Sequence, residues 1–439
     1  MLKRERKAVV FCLIVFCLFA SRALAADEAT EFINRVSALK GVTEVKKIAS
    51  TVYPEKYVVR FEHPLDYGHP EHGTFVQRVI VGHRGWDRPT VMVTEGYGAE
   101  RQMAEGASEE ISELLNANLV FVEYRYFQES MPSPCNWDYL TVWNSLQDLH
   151  QVNVTLKQLY SRKWLATGIS KGGQTTMFYR AYFPDDVEVS VPYVAPLNKA
   201  VEDGRHESFL TKTVGNAKER EQVRNFQIEV LRRRDRMVPL MEAFCKEKAL
   251  TYNAGVTMAE LVDMCVLEYA FALWQWGTNV HEIPSLNSSD QVLFDHLVKI
   301  SNPDYFKPDP YFLSFFVQAA RELGFYGYDD KNLRPYLSLK SSGYLHRYML
   351  PAELDTIKFQ KQLYRHTVKY LKRNDPKMIF IYGENDPWSS SGVLTWLDFG
   401  KKRNMHLYVD PNGNHRARIA TLPATEREEC EALLRKWME

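Results

Sequence analysis

The chain has 439 residues, 55 Lys plus Arg against 55 Asp plus Glu, a formal net charge of zero and 45% hydrophobic residues. This length predicts one large domain with an insertion, or two domains, with ample apolar content for a core. Balanced charge excludes the electrostatic footprint of a nucleic-acid binder, and the short basic run Arg232-Arg233-Arg234 reads as a solvated helix face.

The first 25 residues carry the layout of a signal peptide: basic Lys3-Arg4-Glu5-Arg6-Lys7, apolar residues 8–20, then Ala23-Leu24-Ala25 ahead of Asp27-Glu28. An apolar core of about 13 residues is short of the ~20 that a spanning helix needs. Cleavage after Ala25 is therefore expected, with export to a periplasm or the medium and no stable membrane insertion; an uncleaved anchor is the alternative. Beyond Ala25 four cysteines remain, Cys135, Cys245, Cys265 and Cys430. Export permits disulfides, and Cys245 with Cys265 is the expected local bridge, with burial as free thiols the alternative.

Residues 29–38 predict a short helix, and 45–49 and 57–61 predict strands. The polar stretch 62–73 contains His63, His69 and His72 among carboxylates and raises the question of a metal. No helix or ligand spacing sets these side chains on one face, so the stretch reads as a turn before a strand at 74–81, and no metal or other cofactor is expected. A buried strand at 89–94 ends in Glu95-Gly96-Tyr97-Gly98, and a buried parallel strand follows at 118–123. A helix at 141–160 leads to a strand at 164–169, and another strand follows at 187–196. From about residue 199 to about residue 347 the text is helical in period and rich in aromatics, as at 262–276 and 311–323, without apolar strand runs. This predicts a helical cap, 199–347, inserted between two parts of one domain, 26–198 and 348–439; a separate helical domain unrelated to the site is the alternative. Strands at 377–383 and 405–409 and a helix at 426–437 close the chain. Strands alternating with helices give an α/β class with a mainly parallel sheet.

The chemistry centres on Gly168-Ile169-Ser170-Lys171-Gly172, a Gly-x-Ser-x-Gly turn between an apolar run and helical text. In strand-turn-helix context this is a nucleophile elbow, which projects the serine oxygen from the sheet edge. A serine hydroxyl needs a base within hydrogen-bond reach, itself oriented by a carboxylate, and in this arrangement the order is serine, acid, histidine. Only His406 and His415 follow the last acid suited to the role; His406 lies inside a strand, whereas His415 follows one in a Gly-Asn turn. Asp386 stands just past a buried strand, and its competitor Glu384, nearer the strand, is better suited to a turn. The assignment is Ser170 as nucleophile, His415 as general base and acid, and Asp386 as its orienter. The oxyanion donors are the backbone N–H groups of Lys171 and Tyr97, with Gly96 serving equally in place of Tyr97.

Several stretches together carry a resemblance: Leu65-Asp66-Tyr67 with Thr74-Phe75-Val76-Gln77-Arg78, Thr94-Glu95-Gly96-Tyr97, Val122-Glu123-Tyr124-Arg125-Tyr126-Phe127, the Ser170 elbow, Gly383-Glu384-Asn385-Asp386-Pro387-Trp388 and Asn414-His415. Over nearly the whole mature chain they resemble the secreted serine-peptidase family typified by prolyl tri/tetrapeptidyl aminopeptidase. More distantly they are similar to the lysosomal prolyl carboxypeptidase and dipeptidyl peptidase family, whose text has a histidine where this chain has Tyr124 and a tyrosine where it has Lys171. The resemblance implies an α/β-hydrolase with a helical cap that releases short peptides from free N-termini, often after proline, by an acyl-enzyme route. Proline before the cleaved bond calls for an aromatic-walled pocket, for which Phe271, Trp274, Trp276 and Trp388 are candidates. A free amine calls for a partly buried carboxylate, for which Glu95, Glu123 and Glu268 are candidates. The competing functions are an esterase or lipase, and a non-catalytic binding protein on the same fold.

Overall fold

The apolar runs assemble into a single nine-stranded sheet in the computed structural model, which describes residues 29–328, 331–340, 343–354 and 356–439. The expected signal segment lies outside the described residues. The strands are β1 (Val42–Ile48), β2 (Glu55–Pro64), β3 (Thr74–His83), β4 (Thr90–Val93), β5 (Asn118–Val122), β6 (Trp164–Ile169), β7 (Val189–Tyr193), β8 (Met378–Gly383) and β9 (Met405–Asp410). Their spatial order is β1-β2-β3-β5-β4-β6-β7-β8-β9. The first three form an antiparallel meander joined antiparallel to β5, and every neighbouring pair from β5 to β9 is parallel. β4, β7 and β8 are buried at every residue, as expected of parallel strands covered on both faces. This is an α/β-hydrolase sheet, and its parallel course brings the carboxyl ends of β4, β6, β7, β8 and β9 to one edge.

The helices are α1 (residues 29–37), α2 (Glu110–Leu114), α3 (Val142–Leu156), α4 (Lys171–Tyr182), α5 (Arg205–Lys212), α6 (Ala217–Arg232), α7 (Arg234–Glu247), α8 (Met258–Trp276), α9 (Asp290–Ile300), α10 (Pro310–Gln318), α11 (Gln362–Arg373) and α12 (Ala424–Met438). α3, α4 and α11 cover one face of the sheet, packing Leu146, Leu149, Phe178 and Leu371 on Met92, Val120 and Phe380. α12 covers the other, setting Leu434 and Trp437 against Leu165, Val191 and Ile379. Among the described residues no strand lies between β7 and β8, and α5 to α10 enclose a core of their own around α8. That helix opens with a Thr257–Glu260 capping box, ends at left-handed Gly277 and is apolar nearly all round, the pattern of a central helix. The core around it also takes in Tyr124, Phe127 and Trp388 from loops at the carboxyl edge of the sheet, so the helical layer rests directly on that edge. No helix among the described residues is long and apolar enough to cross a membrane.

Two expectations are corrected. The Cys245–Cys265 bridge is absent: both are buried free thiols, as is Cys430, while Cys135 is an exposed one. The Cys245 sulfur lies instead 3.7 Å from the Tyr252 hydroxyl. The basic run is not a solvated helix face throughout, because the helix breaks there. Only Arg232 is exposed; Arg233 pairs with Glu229 and Asp290 at the α6–α7 junction, and Arg234 pairs with buried Asp263.

Candidate active site

β6 stops at Ile169, and Ser170 takes φ 57° and ψ −117°, a left-handed-side conformation held by its surroundings before α4 begins at Lys171. The glycines make this turn possible. A β-carbon on Gly172 would stand 2.5 Å from the Glu95 carbonyl oxygen, and one on Gly168 would collide with Gly172 itself. The Ser170 N–H donates to the Tyr193 carbonyl at 2.9 Å, tying the elbow to β7. The side chain is half-buried, and among the described residues its hydroxyl has no hydrogen-bond partner. Such contacts often close only when substrate is bound.

The acid and base come from the next two strands. Asp386 is fully buried and caps the short helix Pro387–Ser391, accepting from Trp388 N at 3.1 Å through Oδ1. Its Oδ2 accepts from His415 Nδ1 at 2.7 Å, which leaves His415 Nε2 for another partner. The His415 N–H donates to the Gln275 carbonyl at the end of α8, so the helical layer grips the histidine loop. Glu384 holds the turn, accepting from Asn412 N at 3.0 Å. His406 stays in β9, its ring 5.5 Å from Trp437.

One residue at the site escapes sequence reasoning. His206, in the charged string Asp203-Gly204-Arg205-His206-Glu207, is fully buried, with ring nitrogens 3.1 Å from the Pro387 carbonyl and 3.0 Å from the Asn198 side-chain oxygen. Burial pushes its pKa down to about 4, so it stays neutral while it props the turn that carries Asp386.

Above the elbow runs the loop after β4. Among the described residues neither the Tyr97 nor the Lys171 N–H has a protein acceptor, the state required of oxyanion donors. Glu95 is half-buried beside them. Burial pushes its carboxyl up to about 7, opposed by the charges of Lys171 and Arg101, and among the described residues it has no hydrogen-bond partner. Glu123 is engaged elsewhere, accepting from Arg78 Nη2 at 2.5 Å, Ala99 N at 2.8 Å and the Ser130 hydroxyl at 2.8 Å. Glu268 accepts from the hydroxyls of Tyr326 at 2.9 Å and Tyr328 at 2.5 Å.

Burial pushes the Glu268 carboxyl up to about 7, against the lowering effect of its two tyrosine partners. The folded chain thus keeps this proton to near neutrality, while the unfolded chain releases it near 4.5, so this group makes stability fall as pH rises between those values. Glu268→Gln retains an acceptor without the buried charge. The variant is expected to gain on wild type by up to about 3 kcal/mol at pH 8 and to lose that advantage at pH 4.5, as read from urea unfolding at the two pH values. An equal effect at both would refute the assignment.

The aromatic candidates divide. The Trp388 ring lies 6.2 Å from His415, and Trp276, 47% exposed, stands edge-on to the same imidazole at 6.1 Å. Phe271 stacks on Tyr326 at 3.8 Å and meets Trp388 at 5.1 Å. Trp274 is buried in the helical core against Gly215. The histidine-rich turn also differs from expectation: a short helix, Pro70–His72, gathers His69, Glu71 and His72 with ligand atoms within 4.8 Å of one another, all three exposed on the β2–β3 loop.

A family model for PS-10 peptidase S37 matches residues 25–439. The chain is 30% identical over 385 residues to a prolyl tri/tetrapeptidyl aminopeptidase of Streptomyces mobaraensis, covering 87% of this chain and 79% of that protein. It is 27% identical over 157 residues to the lysosomal Pro-X carboxypeptidase of Mus musculus, covering 32% of each. Among solved structures it is similar to a proline iminopeptidase of Mycobacterium smegmatis, with 10% identity and a TM-score of 0.38 over 90% of this chain and 98% of that one.

Proposed function

We propose, from the premise that the chain belongs to the PS-10 peptidase S37 family and is a serine peptidase on an α/β-hydrolase fold, that it is an exported aminopeptidase releasing tri- and tetrapeptides from free N-termini, with proline preferred before the cleaved bond. The observation that carries the chemistry is the 2.7 Å bond from His415 Nδ1 to buried Asp386, at the sheet edge where the elbow presents Ser170. With Nδ1–H directed at the carboxylate, Nε2 is the basic nitrogen. It takes the Ser170 proton as the oxygen attacks the scissile carbonyl, then delivers it to the leaving amine. The oxyanion of each tetrahedral intermediate rests on the Lys171 and Tyr97 N–H groups, and a water activated by His415 releases the acyl group.

Glu95 supports the amine-binding part best, because its backbone lies against the elbow and its half-buried carboxylate has no hydrogen-bond partner among the described residues. Trp388 and Trp276 beside His415, with Phe271 against Trp388, support an aromatic wall for proline. The helices over the sheet edge act in this reading as a cap, spanning 199–347, that limits how many residues fit before the cleaved bond.

The test is a panel of fluorogenic tri- and tetrapeptides with free or blocked N-termini and proline or alanine at the last position. Free-amine, proline-ending substrates are expected to be cleaved best. Glu95→Gln is expected to raise KM at least tenfold on free-amine substrates and to leave blocked ones unchanged. Equal cleavage of free and blocked peptides would remove the aminopeptidase reading, and turnover of simple esters alone would favour an esterase.

A further inference from the structure

The fate of the Lys171 side chain, taken together with the acyl-transfer role of Ser170 on which this inference rests, bears on how the oxyanion site is built. Following the nucleophile, Lys171 offers its own N–H to the oxyanion, yet its side chain turns inward and is 2% exposed. Its Nζ donates to the Gly96 carbonyl. Three rings enclose the amine, with Nζ 3.7 Å from the centroid of Tyr124, 4.7 Å from Phe127 and 5.3 Å from Tyr97. The one charged neighbour acting on it is Glu95, and burial holds its pKa well below the usual lysine range.

A trans peptide sets its C=O and N–H on opposite sides. The unit gripped through the Gly96 carbonyl is the one whose N–H belongs to Tyr97. Its neighbours are also fixed: the Tyr97 carbonyl accepts from Tyr124 N at 3.0 Å, Gly98 N donates to the Tyr311 hydroxyl at 3.3 Å, and Ala99 N donates to Glu123 at 2.8 Å. Gly96 itself lies against the elbow, since a β-carbon there would stand 2.9 Å from Gly172 N and 3.1 Å from the Lys171 carbonyl carbon. A methionine of similar length would fill the aromatic cage without the desolvation cost of an amine. What the amine adds is its hold on one carbonyl.

We propose that Lys171 is a positioning residue for acyl transfer: by holding the Gly96 carbonyl it fixes the Tyr97 N–H, rather than that of Gly96, as the second oxyanion donor beside its own main-chain N–H. Hydrogen bonding to the carbonyl also polarises the peptide and strengthens that N–H as a donor.

The experiment compares wild type, Lys171→Met and Lys171→Arg on a free-amine tripeptide substrate, on p-nitrophenyl acetate, and for inhibition by a peptide boronic acid that forms a tetrahedral adduct with serine. Lys171→Met is expected to lose about 10²-fold in kcat on both substrates with KM nearly unchanged, and to lose boronate affinity but not affinity for the product peptide. Lys171→Arg, which can still donate to the carbonyl, is expected to recover most of the loss. If Lys171→Met does not fold, Lys171→Gln, too short to reach Gly96, takes its place. A kcat within threefold of wild type would overturn the proposal, as would a loss confined to KM or thermal stability with the boronate-to-product affinity ratio preserved. If wild type hydrolyses the ester and no peptide, the peptidase function fails while the ester kcat still decides the clamp. Activity surviving in Ser170→Ala would overturn both.

Discussion

Ser170→Ala is expected to lower kcat on a proline-ending tripeptide substrate by about 10⁶-fold, and Asp386→Asn by about 10⁴-fold, with neither variant losing its fold. The two numbers differ because the residues do different work. Without the Ser170 oxygen there is no acyl-enzyme, and what remains is catalysis by the oxyanion site and by substrate binding. With asparagine at position 386 the nucleophile survives, but the amide can present its NH₂ to His415 Nδ1. That favours the tautomer with the proton on Nε2, the nitrogen that must be basic, and the buried negative charge that stabilises the imidazolium is gone. Asp386 is 0% exposed and bonds Trp388 N as well as His415 Nδ1, so asparagine can keep the cap and the turn. Both variants should match wild type in circular dichroism and thermal unfolding. Residual kcat within tenfold of wild type in either, after exclusion of host peptidases, would refute its assigned role.

The elbow was legible because its requirements are local: an apolar strand, glycines where a β-carbon cannot fit, and helical text directly after. The pairing of Asp386 with His415 was legible for a related reason, since each follows a strand of apolar text, interrupted in β9 by His406. What could not be read is whatever depends on partners distant in the chain. Lys171 in isolation is a surface cation; its cage comes from Tyr97, Tyr124 and Phe127 on two other loops. Tyr124 and Lys171, two positions at which the quoted stretches differ from the lysosomal family's text, turn out to touch. His206 sits in a string of charges with no motif to single it out, and it is buried by Pro387 and Trp388 together with Asn198, Phe271 and Tyr326. The histidine turn shows no helix or ligand spacing in sequence, yet the three-residue helix Pro70–His72 brings His69, Glu71 and His72 together. The cysteine pair was close in sequence, and sequence distance says little about where two helices point their thiols.

Glu123→Ala is expected to destabilise the protein by about 3 kcal/mol or more, and this separates two roles that the sequence left open. As an amine anchor, Glu123 would matter to KM on free-amine substrates and little to stability. In the structure its carboxylate is 0% exposed and joins three pieces of chain: Arg78 on β3, Ser130 after β5, and Ala99 after β4. Removing it strips the 1%-exposed Arg78 of its buried carboxylate, leaving the half-exposed Glu129, the exposed Glu100 and the neutral Gln128 side chain as partners. The loss should appear as a lower urea midpoint, with the ratio of KM for free and blocked peptides unchanged in the folded fraction. A tenfold rise of KM on free amines at wild-type stability would instead make Glu123 the anchor. The same variant should also lower kcat, because Ala99 is three residues from Gly96 and Glu123 holds that end of the loop as Lys171 holds the other. The loop after β4 is thus held at both ends by buried polar side chains, Lys171 at Gly96 and Glu123 at Ala99, and in the proposed reading loosening either end misplaces the Tyr97 N–H that lies between them.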